Sequence, residues 1–238
     1  MSPRRSYDQY CSAARALDLV GDRWTLLIVR ELLAGPRRYT DLHADLPGVS
    51  TDVLASRLKD MERDGLATRR RLPPPGAAYV YELTRRGREL LPVVQALGAW
   101  GQPELGERGP TDAVRAHWFA LPLLRALAEE GLVDVRPADV RPADVRPADV
   151  RLTDVPPADV RLVEVRLDEG DFHLYVGAED GPVYGDGQAP AEPEARLAMD
   201  TSTGTAVARG LLRVSDAVRS GRITVTGDSP LAKALREA

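Results

Sequence analysis

The sequence predicts an α+β protein in two parts: a mostly helical first half with one β-hairpin, and a mixed second half. Apolar residues recur every three or four positions over most of residues 10–100, which is typical of amphipathic helices. Two short β-like runs flank a turn of consecutive prolines and a glycine. Beyond residue 160, apolar runs of strand length alternate with shorter helical patterns.

Glycine and proline delimit the first helices. The helical spacing runs from residue 10 to about residue 35, with an interruption at Gly21 and an end at Gly35-Pro36. A short helix is expected from Tyr39 to Leu46, because Pro47 and Gly48 stop it there.

A longer helix is predicted to begin after Ser50. This serine suits the N-cap position, since its hydroxyl can accept a hydrogen bond from a free amide of the first turn. Leu54, Leu58 and Met61 recur on one side of the helix and are predicted to be buried. Gly65 then ends it.

A β-hairpin and a further helix are predicted next. The strands are Leu66–Arg71 and Tyr79–Leu83, and the prolines between them exclude a helix. Thr84 suits the cap of a helix from Arg85 to about Trp100, in which Pro92 introduces a kink or marks the first turn. This order of elements predicts a winged helix-turn-helix over residues 1–103.

The second half is predicted to consist of a linker with a connecting helix (104–131), a repeat segment (132–160) and helices over a sheet (161–238). The connecting helix is expected from Thr111 to Glu130. The strands expected after the repeat are Val160–Leu167, Phe172–Val176, Ala195–Met199 and Arg222–Thr226, with helices at Thr201–Arg209, at Leu212–Ser220 and after the Ser229 cap.

The repeat segment is built on Arg-Pro-Ala-Asp-Val, which starts at Arg136 and decays after Val150. A proline at every fifth position excludes a helix and interrupts any central strand. We favour an extended, solvated linker that arose by tandem duplication. The alternatives are a lengthened, partly paired edge strand and a quadrilateral β-helix of the pentapeptide-repeat kind.

Composition favours a cytoplasmic protein. The 238 residues include no run of about 18 apolar residues and no apolar segment behind the N-terminal arginines, so we expect neither a transmembrane helix nor a secretory signal. One cysteine excludes an internal disulfide. Residues 1–108 hold 17 Lys+Arg and 14 Asp+Glu (+3), and the remainder hold 15 and 22 (−7), which favours an anionic partner for the first half.

The sequence carries no enzymatic signature. His43, His117 and His173 fall in separate predicted elements without metal-ligand spacing. There is no nucleophile elbow, no phosphate-binding loop and no dinucleotide fingerprint. We therefore expect no enzyme activity, no bound metal and no cofactor.

DNA-binding candidates lie on the helix after the serine cap. The second helix of a helix-turn-helix enters the major groove with its N-terminal residues nearest the bases. We expect Thr51 and Ser56 to contact bases or phosphates, and Arg57 and Lys59 to contact phosphate or guanine.

The hairpin adds three consecutive arginines, Arg69–Arg71, which suit a wing that follows phosphates beside the minor groove. The alternative for this run is a solvated charged surface. The alternative for Arg57 is an ion pair with Asp60 or Asp64 of its own helix. The complete predicted DNA-binding set is Arg37, Arg38, Thr51, Ser56, Arg57, Lys59, Arg69, Arg70 and Arg71.

The first half resembles the HxlR-type winged-helix transcriptional regulators. The motifs that carry the resemblance are Asp22–Leu32, Gly35–Leu42, Ser50–Leu66 and Tyr79–Gly87, within a stretch from about residue 10 to residue 100. The resemblance implies a homodimer formed by the first and last helices of the domain. Such a dimer binds a palindromic operator in double-stranded DNA with two recognition helices.

Cys11 lies where members of that family carry an N-terminal cysteine, and some of these cysteines sense oxidants or electrophiles. Sensing requires solvent access and a lowered thiol pKa, which Arg15 would favour from one helical turn away. The alternative for Cys11 is a small buried apolar residue.

The second half resembles the sterol carrier protein type-two fold over Ala195–Asp200, Gly210, Asp216-Ala217, Gly221–Asp228 and the closing helix. Such domains pack helices over a sheet around an apolar tunnel for lipid-like ligands, which implies an apolar effector. The repeat falls where the first strands of such a domain would begin, and a plain apolar core is the alternative to a tunnel.

Together these patterns predict a homodimeric transcriptional regulator, a repressor where its operator overlaps a promoter. One alternative is a lipid- or small-molecule-binding protein whose winged helix serves for dimerisation or docking. A second alternative is a thiol-based redox switch through Cys11.

Overall fold

The computed structural model describes residues 6–73, 78–106, 108–133, 160–177 and 181–238. The chain separates into two compact units, Met1–Val94 and Gln95–Ala238. Both helices and strands are present in each unit, which confirms the predicted α+β class. The five-residue repeat lies outside the described residues, so its interpretations stay predictions. Within the described ranges, no helix is long and apolar enough to cross a membrane.

The first unit has the predicted order of elements with one addition, a two-residue strand before the third helix. This strand pairs with the second hairpin strand, so the hairpin becomes a three-stranded antiparallel sheet in the order β1-β3-β2. The elements are α1 (Ser12–Val20), α2 (Thr25–Leu32), β1 (Arg37–Arg38), α3 (Tyr39–Ala44), α4 (Thr51–Arg63), β2 (Ala67–Arg71), β3 (Tyr79–Leu83) and α5 (Arg85–Arg88), followed by α6 (Leu91–Gly101), which spans the boundary between the units.

Local capping explains where these helices begin and end. The Ser50 hydroxyl accepts a hydrogen bond from the Val53 amide (3.3 Å), and the Thr84 hydroxyl accepts one from the Gly87 amide (3.1 Å). Gly65 follows α4 with a φ of +67°, a conformation that glycine adopts without steric cost. Both serine and threonine caps are therefore confirmed.

Two predicted helices are wrong in their extent. The helix from Arg85 to Trp100 is divided into α5 and α6, because Pro92 has no amide to donate to the carbonyl of Arg88. The connecting helix begins at Ala120 instead of Thr111, and a 3₁₀ helix (Ala116–Phe119) precedes it. Before that, the Asp112 carboxylate accepts a hydrogen bond from the Gly109 amide (2.7 Å) and fixes a turn.

The second unit places helices on a five-stranded sheet in the order β6-β5-β4-β7-β8. Strands β4 and β7 are parallel, and the other neighbouring strands are antiparallel. Sequence reasoning missed β6, because three residues are too short to show a strand period. After the 3₁₀ helix Gln102–Leu105, the elements are α7 (Ala120–Glu129), β4 (Arg161–Leu167), β5 (Gly170–Val176), β6 (Tyr184–Asp186), β7 (Ala195–Ala198), α8 (Thr201–Ala208), α9 (Val214–Arg219), β8 (Thr224–Thr226) and α10 (Pro230–Glu237).

The sheet of the second unit buries polar side chains as well as apolar ones. Val163 and Val165 of β4 are fully buried, and Glu164 between them is 5% exposed. Glu164 accepts hydrogen bonds from the guanidinium of Arg166 (2.9 and 3.1 Å) and from the Ala189 amide (3.3 Å), which offset the cost of burying its charge.

His173 lies directly across from Glu164 on β5 and is likewise buried. Its Nδ1 is 3.1 Å from the Gly187 carbonyl oxygen, and its Nε2 is 3.1 Å from the Tyr175 hydroxyl. A carbonyl only accepts hydrogen bonds, so we assign the proton to Nδ1 and the acceptor role to Nε2. Gly185 makes room for the ring, since a Cβ there would lie 2.2 Å from Nε2.

We expect the stability of the chain to fall in mild acid because of His173. Burial lowers the pKa of His173 below its ordinary 6.5, although the Gly187 carbonyl, Glu164 and Asp186 oppose that change. The unfolded chain then binds a proton more readily, so the free energy of unfolding decreases as the pH falls from about 6.5 through the lowered pKa. Urea unfolding at about pH 5 and about pH 7.5 measures this decrease, and His173→Gln is expected to reduce it. An equal decrease in that variant would contradict the assignment.

Candidate nucleic-acid interface

Helix α4 buries one face and presents the other to solvent. Leu54, Leu58 and Met61 are each 1% exposed or less, which confirms the predicted stripe. The Tyr39 hydroxyl of α3 donates a hydrogen bond to the Thr51 carbonyl (2.8 Å), so it fixes the first residue of α4 against the preceding helix. This is the arrangement by which a helix-turn-helix holds its second helix for insertion into a groove.

Three of the predicted DNA-contact residues are exposed on α4: Thr51, Ser56 and Lys59. Lys59 has no carboxylate within ion-pair distance among the described residues. Its ammonium group therefore keeps a free charge for a phosphate. Thr51 and Ser56 offer hydroxyl groups near the N-terminal end of α4, where base edges are nearest in this class of fold.

Arg57 is instead held by carboxylates. Its Nη2 lies 3.0 Å from Oδ2 of Asp60, and its Nη1 lies 3.4 Å from Oδ2 of Asp22, before α2. The own-helix ion pair with Asp60 is confirmed, whereas Asp64 pairs with Arg63 at 3.3 Å. Sequence reasoning missed Asp22, because only the tertiary packing brings that turn beside α4.

The two arginines of β1 differ in their surroundings. Arg37 forms an ion pair with Asp45 at the end of α3. Arg38 is exposed and precedes α3, and the described residues supply no carboxylate partner for its guanidinium. Of the two, Arg38 has the charge available for DNA.

The wing, defined as β2 and β3, separates its three arginines. The Arg69 guanidinium lies 4.0 Å from the ring centre of Tyr79 and 6.0 Å from that of Tyr81. Arg70 makes two hydrogen bonds to the Glu82 carboxylate, at 3.1 and 3.2 Å. Arg71 is exposed, and no carboxylate of the described chain pairs with it. A stacked arginine keeps its charge, so Arg69 and Arg71 remain available to phosphates.

The wing lies beside α4. Burial raises the pKa of Tyr81 on β3; the nearby Arg69 opposes that rise, and Glu62 of α4 contributes to it. Helix α4 contacts β2, the strand of the wing that follows it along the chain. Exposed polar groups of α4 and two available arginines of the wing are thus carried by neighbouring elements of the first unit.

Cys11 is the N-cap residue of α1 and is exposed, so the buried-residue alternative is wrong. The backbone amide of Ala14, and then that of Ala13, lower the pKa of the Cys11 thiol. Arg15 is not among the causes of this lowering, contrary to the sequence-based expectation. Its guanidinium lies 3.5 Å from the Asp18 carboxylate.

The second unit contains an apolar pocket between its helices and the sheet. The pocket has a volume of about 10 Å³, which accommodates about one water molecule. The residues that line it are Phe119, Leu123, Val165, Leu167, Phe172, Met199, Gly204 and Val207. In this conformation the pocket is a small gap in a packed core and has no room for a lipid-like ligand.

Comparison with known proteins places the first unit in a family. The HxlR-like helix-turn-helix family model matches residues 19–108. The transcriptional regulator YvaP of Bacillus subtilis is 36% identical over 86 residues, which cover 36% of this chain and 80% of YvaP. The regulator YodB of the same organism is 36% identical over 85 residues, or 36% of this chain and 76% of YodB.

Among solved structures, the reduced form of YodB from B. subtilis is similar to this chain, with 33% identity and a TM-score of 0.36. The match covers 42% of this chain and 99% of the YodB chain. The family assignment rests on the sequence matches, which cover the helix-turn-helix and wing described above. The chain belongs to the HxlR-like helix-turn-helix transcriptional regulators.

Proposed function

We propose that this regulator binds a palindromic operator as a homodimer, without enzymatic activity. Helix α4 of each protomer enters the major groove, and each wing follows the adjacent phosphates. The observation that carries this proposal is that Thr51, Ser56 and Lys59 are exposed on α4, while Arg69 and Arg71 of the wing are exposed with charges available to phosphates. Bound over a promoter, such a dimer excludes polymerase and represses transcription.

Exposed apolar residues on α1 and α6 support the homodimer. Leu17 of α1 is 50% exposed, and Val93, Leu97 and Trp100 of α6 are 44%, 49% and 79% exposed. Positions 93, 97 and 100 recur at helical spacing, so they form one apolar face. Exposed faces of this kind mark association surfaces.

The proposed function is tested by fluorescence anisotropy of labelled DNA from upstream of the protein's own gene, against scrambled DNA, at two salt concentrations. Selective binding that persists at the higher salt concentration supports the regulator. If both DNAs bind equally and this binding is lost at the higher salt concentration, the interaction is only a nonspecific attraction to phosphates. Absence of binding favours the alternative in which the winged helix serves only for dimerisation or docking.

Leu97→Glu is expected to convert the proposed dimer to a monomer at micromolar concentration. A carboxylate buried in an apolar interface would lose its hydration without a partner. Sedimentation equilibrium measures the change. Leu211→Glu is the matched control, because Leu211 is 68% exposed but lies outside α1 and α6. A dimer that survives Leu97→Glu would exclude α6 as the interface.

We propose, as a further candidate function, that the second unit senses an apolar small molecule, as its sequence resemblance to the sterol carrier protein type-two fold implies. Helices that cover an apolar sheet face provide the lining for such a ligand. The pocket of about 10 Å³ means that a ligand larger than water must separate the helices from the sheet. Titration with a fluorescent fatty acid tests this function. An emission spectrum that stays unchanged up to the solubility limit of the fatty acid would exclude it.

Cys11 supports a thiol-based switch as a second mode of regulation. Its exposure and lowered pKa increase the reactive thiolate fraction at neutral pH. Cys11→Ser is expected to leave DNA binding of the reduced protein unchanged and to abolish any loss of binding caused by the oxidant diamide. Anisotropy before and after diamide treatment checks this. A diamide response retained by Cys11→Ser would exclude the switch.

A further inference from the structure

Arg57 connects helix α4 to the turn that follows α1. Its Nη1 lies 3.4 Å from Oδ2 of Asp22, and its Nη2 lies 3.0 Å from Oδ2 of Asp60. Asp60 belongs to α4 itself, whereas Asp22 comes two residues after Val20, the last residue of α1. The pair with Asp22 therefore joins two separate elements of the first unit.

Both ends of this connection are held by further contacts. Oδ1 of Asp22 accepts a hydrogen bond from the Trp24 amide (3.0 Å), so one carboxylate oxygen fixes the turn while the other faces Arg57. On the α4 side, Asp60 also pairs with Arg63 (2.8 Å), which restrains the carboxylate that orients Arg57. The guanidinium is thus fixed from two directions.

We propose that Arg57 is a positioning residue that sets the orientation of α4 relative to the turn between α1 and α2 through Asp22. A guanidinium that reads guanine uses two nitrogens in a bidentate contact, and both terminal nitrogens of Arg57 already face carboxylates. The inference rests on the proposed function, since its consequence is measured on operator DNA. It links the orientation of α4 to the turn that follows α1, the helix that contributes Leu17 to the proposed dimer face.

The direction in which one substitution changes DNA affinity distinguishes a positioning role of Asp22 from competition between Asp22 and DNA phosphates for Arg57. Asp22→Asn retains an oxygen that accepts the Trp24 amide but removes a negative charge beside α4. If Asp22 only competed with phosphates for Arg57, its loss would strengthen DNA binding. If the ion pair orients α4, the same change weakens binding even though the protein becomes more positive.

The test uses a duplex that the wild-type chain enriches from a random-sequence library. Dissociation constants are measured for wild type, Asp22→Asn, Arg57→Gln and the double variant. We expect Asp22→Asn to weaken binding by about fivefold, which is the change in affinity equivalent to the free energy of a partly exposed ion pair. In the Arg57→Gln background it should cause no additional loss. Asp52→Asn is the control, because Asp52 is an exposed acid of α4 without an ion pair in the described chain, and its loss should leave binding unchanged or stronger.

The outcomes separate this inference from the proposed function. Unchanged or stronger binding by Asp22→Asn, or additive losses in the double variant, would overturn the positioning role. If the wild-type chain enriches no duplex from the library, both the proposed function and this inference are overturned. Thermal unfolding shows whether each variant is folded. If Asp22→Asn is not, Arg57→Lys decides, since a single ammonium cannot hold both carboxylates in the same geometry. Binding as tight as wild type would then overturn the role.

Discussion

Replacement of both Arg69 and Arg71 by alanine is expected to weaken operator binding by about tenfold or more at low salt and to flatten its salt dependence. Removal of one phosphate contact lowers the slope of log K against log salt concentration by about 0.9. Both guanidinium groups keep an available charge, Arg69 on the rings of Tyr79 and Tyr81 and Arg71 in solvent. Because these interactions are with the DNA backbone, binding of scrambled DNA should weaken in parallel. Anisotropy titrations over a range of salt concentrations measure both effects.

The neighbouring ion pair of the wing supplies the matched control. The double variant Arg70→Gln/Glu82→Gln removes one positive charge from β2 and one negative charge from β3. In the wild-type chain these two charges already pair with each other. The net charge is unchanged, so we expect the salt slope to stay close to that of wild type. A slope that falls by about 0.9 in this variant would show that Arg70 is a phosphate contact and that the pairing with Glu82 opens on DNA.

Gly87→Ala is expected to lower the free energy of unfolding of the chain by about 2–3 kcal/mol. A Cβ at this position would lie 2.0 Å from the Leu66 carbonyl oxygen and 3.0 Å from Cδ2 of Leu83. The Leu66 carbonyl cannot move away easily, because it accepts the Thr84 amide at 3.0 Å where α5 begins. The change therefore separates α5 from the start of the wing. Denaturant unfolding monitored by circular dichroism measures the decrease.

Gly98→Ala is the control for this substitution. Gly98 lies within α6, and a Cβ there would meet no atom within 4 Å. Alanine has the higher helix propensity, so the same chemical change should stabilise the chain by about 0.5–1 kcal/mol. If Gly87→Ala proved as harmless as Gly98→Ala, the contact between α5 and Leu66 would not be close in solution.

The local elements of the winged helix followed from short-range rules. Ser50 and Thr84 cap the helices that the sequence assigned to them, and Leu54, Leu58 and Met61 form the buried stripe of α4. Caps and stripes depend on residues within a few positions, so the sequence contains the information. The two-residue β1 and the three-residue β6 were missed, because such strands exist only through their pairing with a neighbour.

The candidate site shows the same distinction between features set by neighbouring residues and features set by tertiary contacts. The sequence placed the DNA-binding candidates on α4 and the wing, but it could not rank their charges. Arg37 and Arg70 are paired with carboxylates that lie 8 and 12 positions away along the chain, and Arg57 has a partner 35 positions away in addition to Asp60 of its own helix. Those distances exceed the reach of a single helix or strand pattern. Arg69 and Arg71 stay available by strand alternation, which requires the register of β2 against β3.

By itself, the sequence determined that this protein has a winged helix of the HxlR-like kind, where the helices capped by Ser50 and Thr84 begin, and which face of α4 is buried. Helix periods, caps and turn residues are local properties, and they fix these features directly. Only the tertiary structure decided which arginines keep a free charge and that Asp22 meets Arg57. Ion pairs between separate elements depend on distances of a few ångströms between residues remote in sequence, which the fold alone sets.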